Sequence, residues 1–284
     1  MNHCLLTASA GKRLMVKGRN MTSVWMIASG KGGVGKTTTT ANLGTGLAML
    51  GNKVVMVDTD IGLRNLDVVL GLENRIVYDI VDAVRGNCRL KQALIKDKRY
   101  ENMFLLPAAQ TKDKTAISEE QMVDLTNTLK EEFDYVIIDC PAGIEHGFKN
   151  AIAGAEEAIV VTTPEVSAVR DADRIIGLLE AAELRAPKLI INRIRANMVK
   201  SGDMMSVEDI LDILAIDLLG IIPDDDAIVI STNRGEPTVT DDDSRPGQAF
   251  RNISRRINGE DVPFMSMESK QGFFNRVKSL FSGD

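Results

Sequence analysis

The sequence predicts an α/β fold: a mostly parallel twisted sheet with helices on both faces, followed by a C-terminal amphipathic helix. Three observations carry this. Short apolar runs of strand length alternate with helical patterns through residues 23–257, as in strands joined by helical crossovers. A glycine-rich stretch, Gly30-Lys31-Gly32-Gly33-Val34-Gly35-Lys36-Thr37-Thr38, lies between the first strand and the first helix. Two later strands run into acids, at Asp58 and Asp139.

Residues 23–28 read as a buried strand and residues 38–50 as a helix closed by Gly51. The stretch between them fits the phosphate-loop pattern, two glycines around four residues and then Lys-Thr. A strand feeding such a loop into a helix points successive N–H groups and the positive end of the helix dipole at one place, which suits phosphate. The expected fold is therefore that of a phosphate-loop NTPase. Lys36 is expected at the terminal phosphates and the Thr37 hydroxyl on Mg²⁺.

Residues 53–57 give the second strand, ending in Asp58-Thr59-Asp60. Carboxylates at the carboxyl end of a parallel strand lie beside the nucleotide crevice. Asp60 is placed to orient or deprotonate a water and to join the metal site, with Asp58 supporting metal hydration or the loop. The plain alternative is that both acids simply end a strand. Residues 61–67 form a loop, 77–84 a short helix ending near Gly86, and 103–106 a strand stopped by Pro107. Residues 118–132 form a helix in which Ser118 and Gln121 have capping-box spacing.

The strand at 135–139 ends in Asp139, which can hold Mg²⁺ through water, and Gly143 beyond it can donate an N–H to the γ-phosphate. Cys140 reads as a buried structural thiol, since no histidine base accompanies it. Residues 158–162 are the next strand, and 169–182 a helix carrying Arg170, Asp171, Asp173 and Arg174. Such mixed charge is a solvated face or a partner-docking surface. The strand at 188–192 ends in Asn192, whose amide can read an adenine edge. The guanine-reading Asn-Lys-x-Asp pattern is absent, because Arg193-Ile194-Arg195 follows, which favours ATP. A helix at 206–214, a last strand at 218–222, a turn at Pro223-Asp224 packing on the base, and a closing helix at 248–257 complete the domain.

Composition narrows the function classes. The 284 residues are 44% hydrophobic and 26% charged, within the range of globular chains. A net charge of −6 speaks against a general nucleic-acid footprint. Three cysteines without metal spacing suggest a reducing compartment, and two histidines exclude a histidine-rich metal site. No apolar run reaches the ~18 residues of a membrane span. Residues 1–20, basic and free of acids, stand outside the domain as a leader, read as an upstream start or, less simply, an organelle-targeting fragment. The domain covers 21–259 and a linker 260–271.

The last segment, 272–284, reads as a membrane-targeting helix. At about 100° per residue, Phe273, Phe274, Val277, Leu280 and Phe281 share one arc, with Arg276 and Lys278 flanking it where they can snorkel to anionic headgroups. Partly burying five apolar side chains yields roughly 5–8 kcal/mol, against about 1 kcal/mol or more per residue ordered. One such helix binds lipid marginally. Two on a dimer gain an effective-concentration advantage of about 10²-fold.

The glycine loop, the Asp58–Asp67 segment, Asp139-Cys140-Pro141-Ala142-Gly143-Ile144-Glu145, Val169-Arg170-Asp171-Ala172-Asp173-Arg174 and the Phe-rich basic tail together resemble the deviant Walker A (ParA/MinD) family, in its septum site-determining branch. The resemblance covers about residues 21–284. It implies an Mg²⁺-dependent ATPase whose ATP-bound homodimer docks on the inner face of the cell membrane, or its plastid equivalent. There it recruits a MinC-type division inhibitor, then leaves after hydrolysis stimulated by MinE or another topological factor. By the same resemblance Lys31 acts in trans on the partner's nucleotide, Asp60 positions the attacking water, and Arg170, Asp171 and Asp173 face the division partner. A ParA-type partition ATPase is the nearest rival. It is expected to show a basic DNA face and no lipid helix.

Overall fold

The computed structural model describes residues 22–110, 116–144 and 146–265, with a separate antiparallel pair, β1 (Met15–Val16) and β2 (Arg19–Asn20), in the leader. The remaining leader residues, most of the linker and the membrane-targeting helix expected over 272–284 lie outside the described residues.

Eight further strands form one sheet: β3 (Ser23–Ala28), β4 (Val54–Asp58), β5 (Ile95–Lys96), β6 (Met103–Leu106), β7 (Tyr135–Asp139), β8 (Glu157–Thr162), β9 (Arg185–Ile194) and β10 (Asp217–Pro223). Their order is β10-β9-β8-β3-β7-β4-β6-β5. All neighbours pair in parallel except β5 against β6, so the expected mostly parallel sheet is present with one antiparallel edge. The helices are α1 (Lys36–Met49), α2 (Leu66–Leu70), α3 (Ile80–Val84), α4 (Leu90–Ala93), α5 (Glu119–Lys130) and α6 (His146–Gly154), then α7 (Val166–Ala181), α8 (Ala196–Ser201), α9 (Val207–Leu214), α10 (Asp226–Asn233) and α11 (Arg245–Ile257).

Period-two alternation in the strands builds two cores, one on each face. Val24, Met26, Val55, Val57, Val136 and Ile138 face Met122 and Leu129 of α5, Phe148 of α6, and Ile175 and Leu179 of α7. Trp25, Ile27, Val54, Met56, Tyr135 and Ile137 face Leu43 and Leu47 of α1 and Phe250 and Ile253 of α11. Because both faces are covered, the strands read as continuous apolar runs.

The connections place the site. From β3 the chain crosses through α1 to β4, two positions away, with β7 between them. From β7 it crosses through α6 to β8, on the other side of β3. This reversal opens a crevice at the carboxyl end of β3, where the glycine loop begins.

Element ends follow local chemistry. The Ser118 hydroxyl accepts the Gln121 N–H and the Gln121 side chain caps Ser118, the expected capping box. The helix expected from residue 77 instead begins at Ile80, because the Asp79 carboxylate accepts the N–H groups of Val81 and Asp82 and fixes the start there.

Candidate nucleotide-binding site

Gly35 is the N-cap of α1 at φ 99°, a left-handed conformation that favours glycine. No side chain caps this helix and no acid lies in its first turn. Its leading N–H groups therefore face the loop. Space around Gly35 is as strict as its backbone: an added Cβ would lie 2.3 Å from Asn192 Nδ2. That amide donates to the Val34 carbonyl at 2.8 Å, and Asn192 Oδ1 accepts the Arg193 N–H at 2.9 Å. Asn192, expected at the adenine edge, thus ties the end of β9 to the phosphate loop.

Asn192 also lines a cavity of about 790 Å³ with Gly35, Thr38, Arg195, Met204 and Asp224. Asp224 accepts from Arg195 Nε at 2.6 Å, and its own N–H reaches the Ile194 carbonyl. Pro223 ends β10 just before this wall. Arg195 and Met204 had no sequence signal beyond nearness to Asn192.

The acids gather on the other side of the loop. Asp58 and Asp139 stand opposite each other at the ends of β4 and β7, each 1% exposed. Asp139 accepts from Thr40 Oγ1 at 3.1 Å, a contact the sequence reading missed although Thr40 lies one helical turn beyond Lys36. Lys36, 8% exposed as a residue, bears on Asp139 through its charge, and the Thr37 hydroxyl does so by a hydrogen bond. Burial raises the Asp139 carboxyl to about 6, with Asp60 adding repulsion and Lys36, Thr37 and Thr40 opposing the rise. Asp58 is pushed well above the carboxylate range by burial first and Asp139 second. Asp58 supports the loop: Oδ1 accepts the Asp60 N–H at 2.9 Å and Oδ2 the Leu66 N–H at 3.3 Å. Asp60 itself is half-buried at the head of that loop.

A raised carboxyl sets the sign of a pH dependence. The folded chain binds the Asp139 proton more tightly than the unfolded chain, so its stabilisation is complete below the unfolded value of 3.8. It is lost as pH rises towards about 6. Urea unfolding in EDTA without nucleotide is expected to show stability falling over this window, by on the order of 3 kcal/mol. The Asp139→Asn chain should show a flatter profile. An unchanged slope in that variant would remove Asp139 as the cause.

Lys31 and Gly143 complete the rim. The Lys31 side chain is 45% exposed, its ammonium 3.6 Å from the Glu165 carboxylate and 3.4 Å from the Ser167 hydroxyl. An exposed pair of this kind is worth little and is easily exchanged. The Gly143 N–H reaches the Ser29 carbonyl at 3.4 Å. Helix α7 comes so close that a Cβ on Gly30 would lie 2.3 Å from the Asp171 carbonyl oxygen. Arg170 and Asp173 are exposed on α7, and the Asp171 carboxylate lies 4.0 Å from Arg174.

These donors suit a magnesium nucleotide. A Cβ on Gly33 would meet nothing within 4 Å, so the loop is open at that point, and a glycine loop entering an uncapped helix is the arrangement that receives phosphate. Among the described residues no cluster of three His, Cys, Asp or Glu could hold a metal alone. A hydroxyl and buried carboxylates beside a phosphate cradle suit Mg²⁺, which keeps waters and shares phosphate oxygens. No described helix is long and apolar enough to cross a membrane.

Comparison with known proteins agrees with this geometry. The profile of the CobQ/CobB/MinD/ParA nucleotide binding domain matches residues 25–239. The septum site-determining protein MinD of Bacillus subtilis (strain 168) is 60% identical over 259 residues, covering 90% of this chain and 97% of that protein. In the Aquifex aeolicus MinC:MinD cell division protein complex, a chain 50% identical superposes with a TM-score of 0.82, over 86% of this chain and 99% of that one. The Pyrococcus horikoshii MinD complexed with Mg-ADP is 31% identical, with a TM-score of 0.75 over 85% of this chain and 100% of that one.

Proposed function

The chain belongs to the MinD family, and from that premise we propose that it is an ATP-dependent, dimerising peripheral-membrane ATPase that positions the division site. The observation that carries the hydrolytic part is that Lys36 and Asp139 are both buried at the uncapped start of α1, the lysine's charge bearing on the acid, with Asp60 close enough to repel it.

In this reading the N–H groups from Gly30 through Thr38 hold the phosphates, and Lys36 supplies the counter-charge. Thr37, Asp60 and Asp139 would hold Mg²⁺. The metal, when bound, neutralises charge on the β- and γ-phosphate oxygens. Asp60 orients the attacking water or takes its proton. Gly143 turns its N–H from Ser29 to the γ-phosphate, and Lys31 leaves Glu165 and Ser167 for the partner subunit's nucleotide. The base lies in the cavity beside Asn192, Pro223 and Asp224.

The α7 face with Arg170, Asp171 and Asp173 receives a MinC-type inhibitor, and MinE or another topological factor stimulates release. The relative from Aquifex aeolicus solved as a MinC:MinD complex supports such a partner. Membrane docking rests on Phe273, Phe274, Arg276, Val277, Lys278, Leu280 and Phe281. The net charge and this tail favour lipid over DNA as the working surface, against the partition-ATPase reading.

Sedimentation with anionic vesicles tests the coupling. The full chain should pellet with ATP and not with ADP, and a chain ending before Gly272 should stay in solution with either. Pelleting that ignores the nucleotide, or survives loss of the tail, would break the proposal.

A further inference from the structure

We propose that Arg64 and Asp67 are positioning residues for hydrolysis, holding the loop from Asp60 to Leu66 in the strained shape that sets the backbone beneath Asp60. This rests on the assignment of Asp60 to the hydrolytic step.

The loop is a tight turn closed on the acid itself. The Asp60 carbonyl accepts the N–H groups of Leu63 at 3.2 Å and Arg64 at 3.1 Å. The Gly62 N–H is fixed on the Ala109 carbonyl. Arg64 sits at φ 45°, in the left-handed region that a residue with a long side chain rarely adopts. Such strain persists only where the surroundings over-determine it. The restraint here is the Arg64 side chain, whose Nε lies 3.0 Å from Asp67 Oδ2. Asp67 stands in the first turn of α2, and the start of that helix is held by the Leu66 N–H on Asp58. The turn is therefore clamped at both ends by Asp58 and in its middle by Arg64 and Asp67.

The Asp67 carboxylate makes the case stronger. It is 1% exposed, and neither oxygen has a well-aligned hydrogen bond. The N–H groups of Asp67 and Val68 in its own turn also bear on it, and the Glu73 carboxylate repels it. Burial raises its pKa, and Arg64 opposes the rise. An acid serving only the helix dipole would do so at the surface, hydrated and without desolvation cost. Burying one carboxylate against one guanidinium weakens a fold unless the pair secures something else. What it secures here is the turn that carries the hydrolytic acid.

The test uses the full chain on anionic vesicles, comparing the parent, Asp67→Asn, Arg64→Gly and the double variant. Glycine adopts φ 45° without strain but carries no guanidinium, and asparagine keeps the shape of Asp67 without its charge. Each single variant should lower kcat at least tenfold while the Kd for ATP stays within about threefold of the parent's, a split that a general loss of packing does not give. In the double variant neither charge is left unpaired, so its melting temperature should return to within a few degrees of the parent's while kcat stays low. A double variant that recovers the parent's kcat would overturn the inference, as would losses of kcat that track melting temperature or Kd. A parent that turns over no ATP would instead overturn the assignment of hydrolysis itself.

Discussion

Replacing Asp60 by alanine is expected to lower ATP turnover on vesicles by about 10²- to 10⁴-fold, the contribution of a positioned general base or water-orienting group, while ATP binding survives. The phosphate-holding elements do not depend on this side chain, and of the three residues assigned to Mg²⁺ the substitution removes one and leaves Thr37 and Asp139. The glycine loop, Lys36 and Asn192 are fixed by α1 and β9, and the Asp60 N–H bond to Asp58 uses backbone, which alanine keeps. The fold should not weaken either. Asp60 adds to the repulsion that raises both Asp58 and Asp139, so its removal relieves two buried carboxyls. Phosphate release gives the turnover, and washing ATP-loaded vesicles in nucleotide-free buffer gives the membrane consequence: the variant stays on lipid after the parent has left. Turnover above a tenth of the parent's would take Asp60 out of the hydrolytic step.

The second large effect is expected from Lys36→Ala, read by calorimetric titration with ATP. Lys36 is a buried residue, and its positive charge lowers the Asp139 pKa. Truncating one side of a buried charge pair across a binding interface costs about 2–5 kcal/mol, which for Lys36 against the phosphates is a rise in Kd of about 30- to several-thousand-fold. The fold itself can survive the loss, because Asp139 takes a proton instead. Lys36 opposes the rise of that carboxyl, so its removal moves Asp139 further up and makes the proton easier to take. Lys36→Arg should rescue poorly, since a planar guanidinium does not fill the place of a compact ammonium at a buried position. An alanine variant that binds ATP like the parent would show that Lys36 does not face the phosphates.

Much of this was legible before any coordinates, for physical reasons. A sheet covered on both faces writes its strands as unbroken apolar runs, and the glycine loop announces its own backbone, so β3, β6 and β7 match their expected bounds. What stayed hidden was set by tertiary contact. The antiparallel β5 is two residues long and has no periodicity to read. Helices α2, α4 and α8 span four to six residues, too short for a helical stripe. At the site, chemistry carried on the loop was readable, whereas contacts made across the fold were not. Asn192 suggested a base reader from its place at a strand end, and its bond to Val34 depends on β9 lying beside the loop. Arg64 and Asp67 have ordinary i,i+3 spacing, and only burial and a left-handed backbone mark them.

The approach of α7 to Gly30 has a mechanical consequence. With the Asp171 carbonyl occupying the space of a missing Cβ, no deformable side-chain layer separates the helix backbone from the phosphate loop. The two form a gearless linkage. Displacing α7 by a few tenths of an ångström must displace the loop or be refused by it. A protein pressing on the outer face of that helix therefore pushes on the phosphate loop through the helix backbone, with no side-chain layer to absorb the displacement. Variants chosen to retune the outer surface must be screened for nucleotide affinity as well, because neither can be altered in isolation.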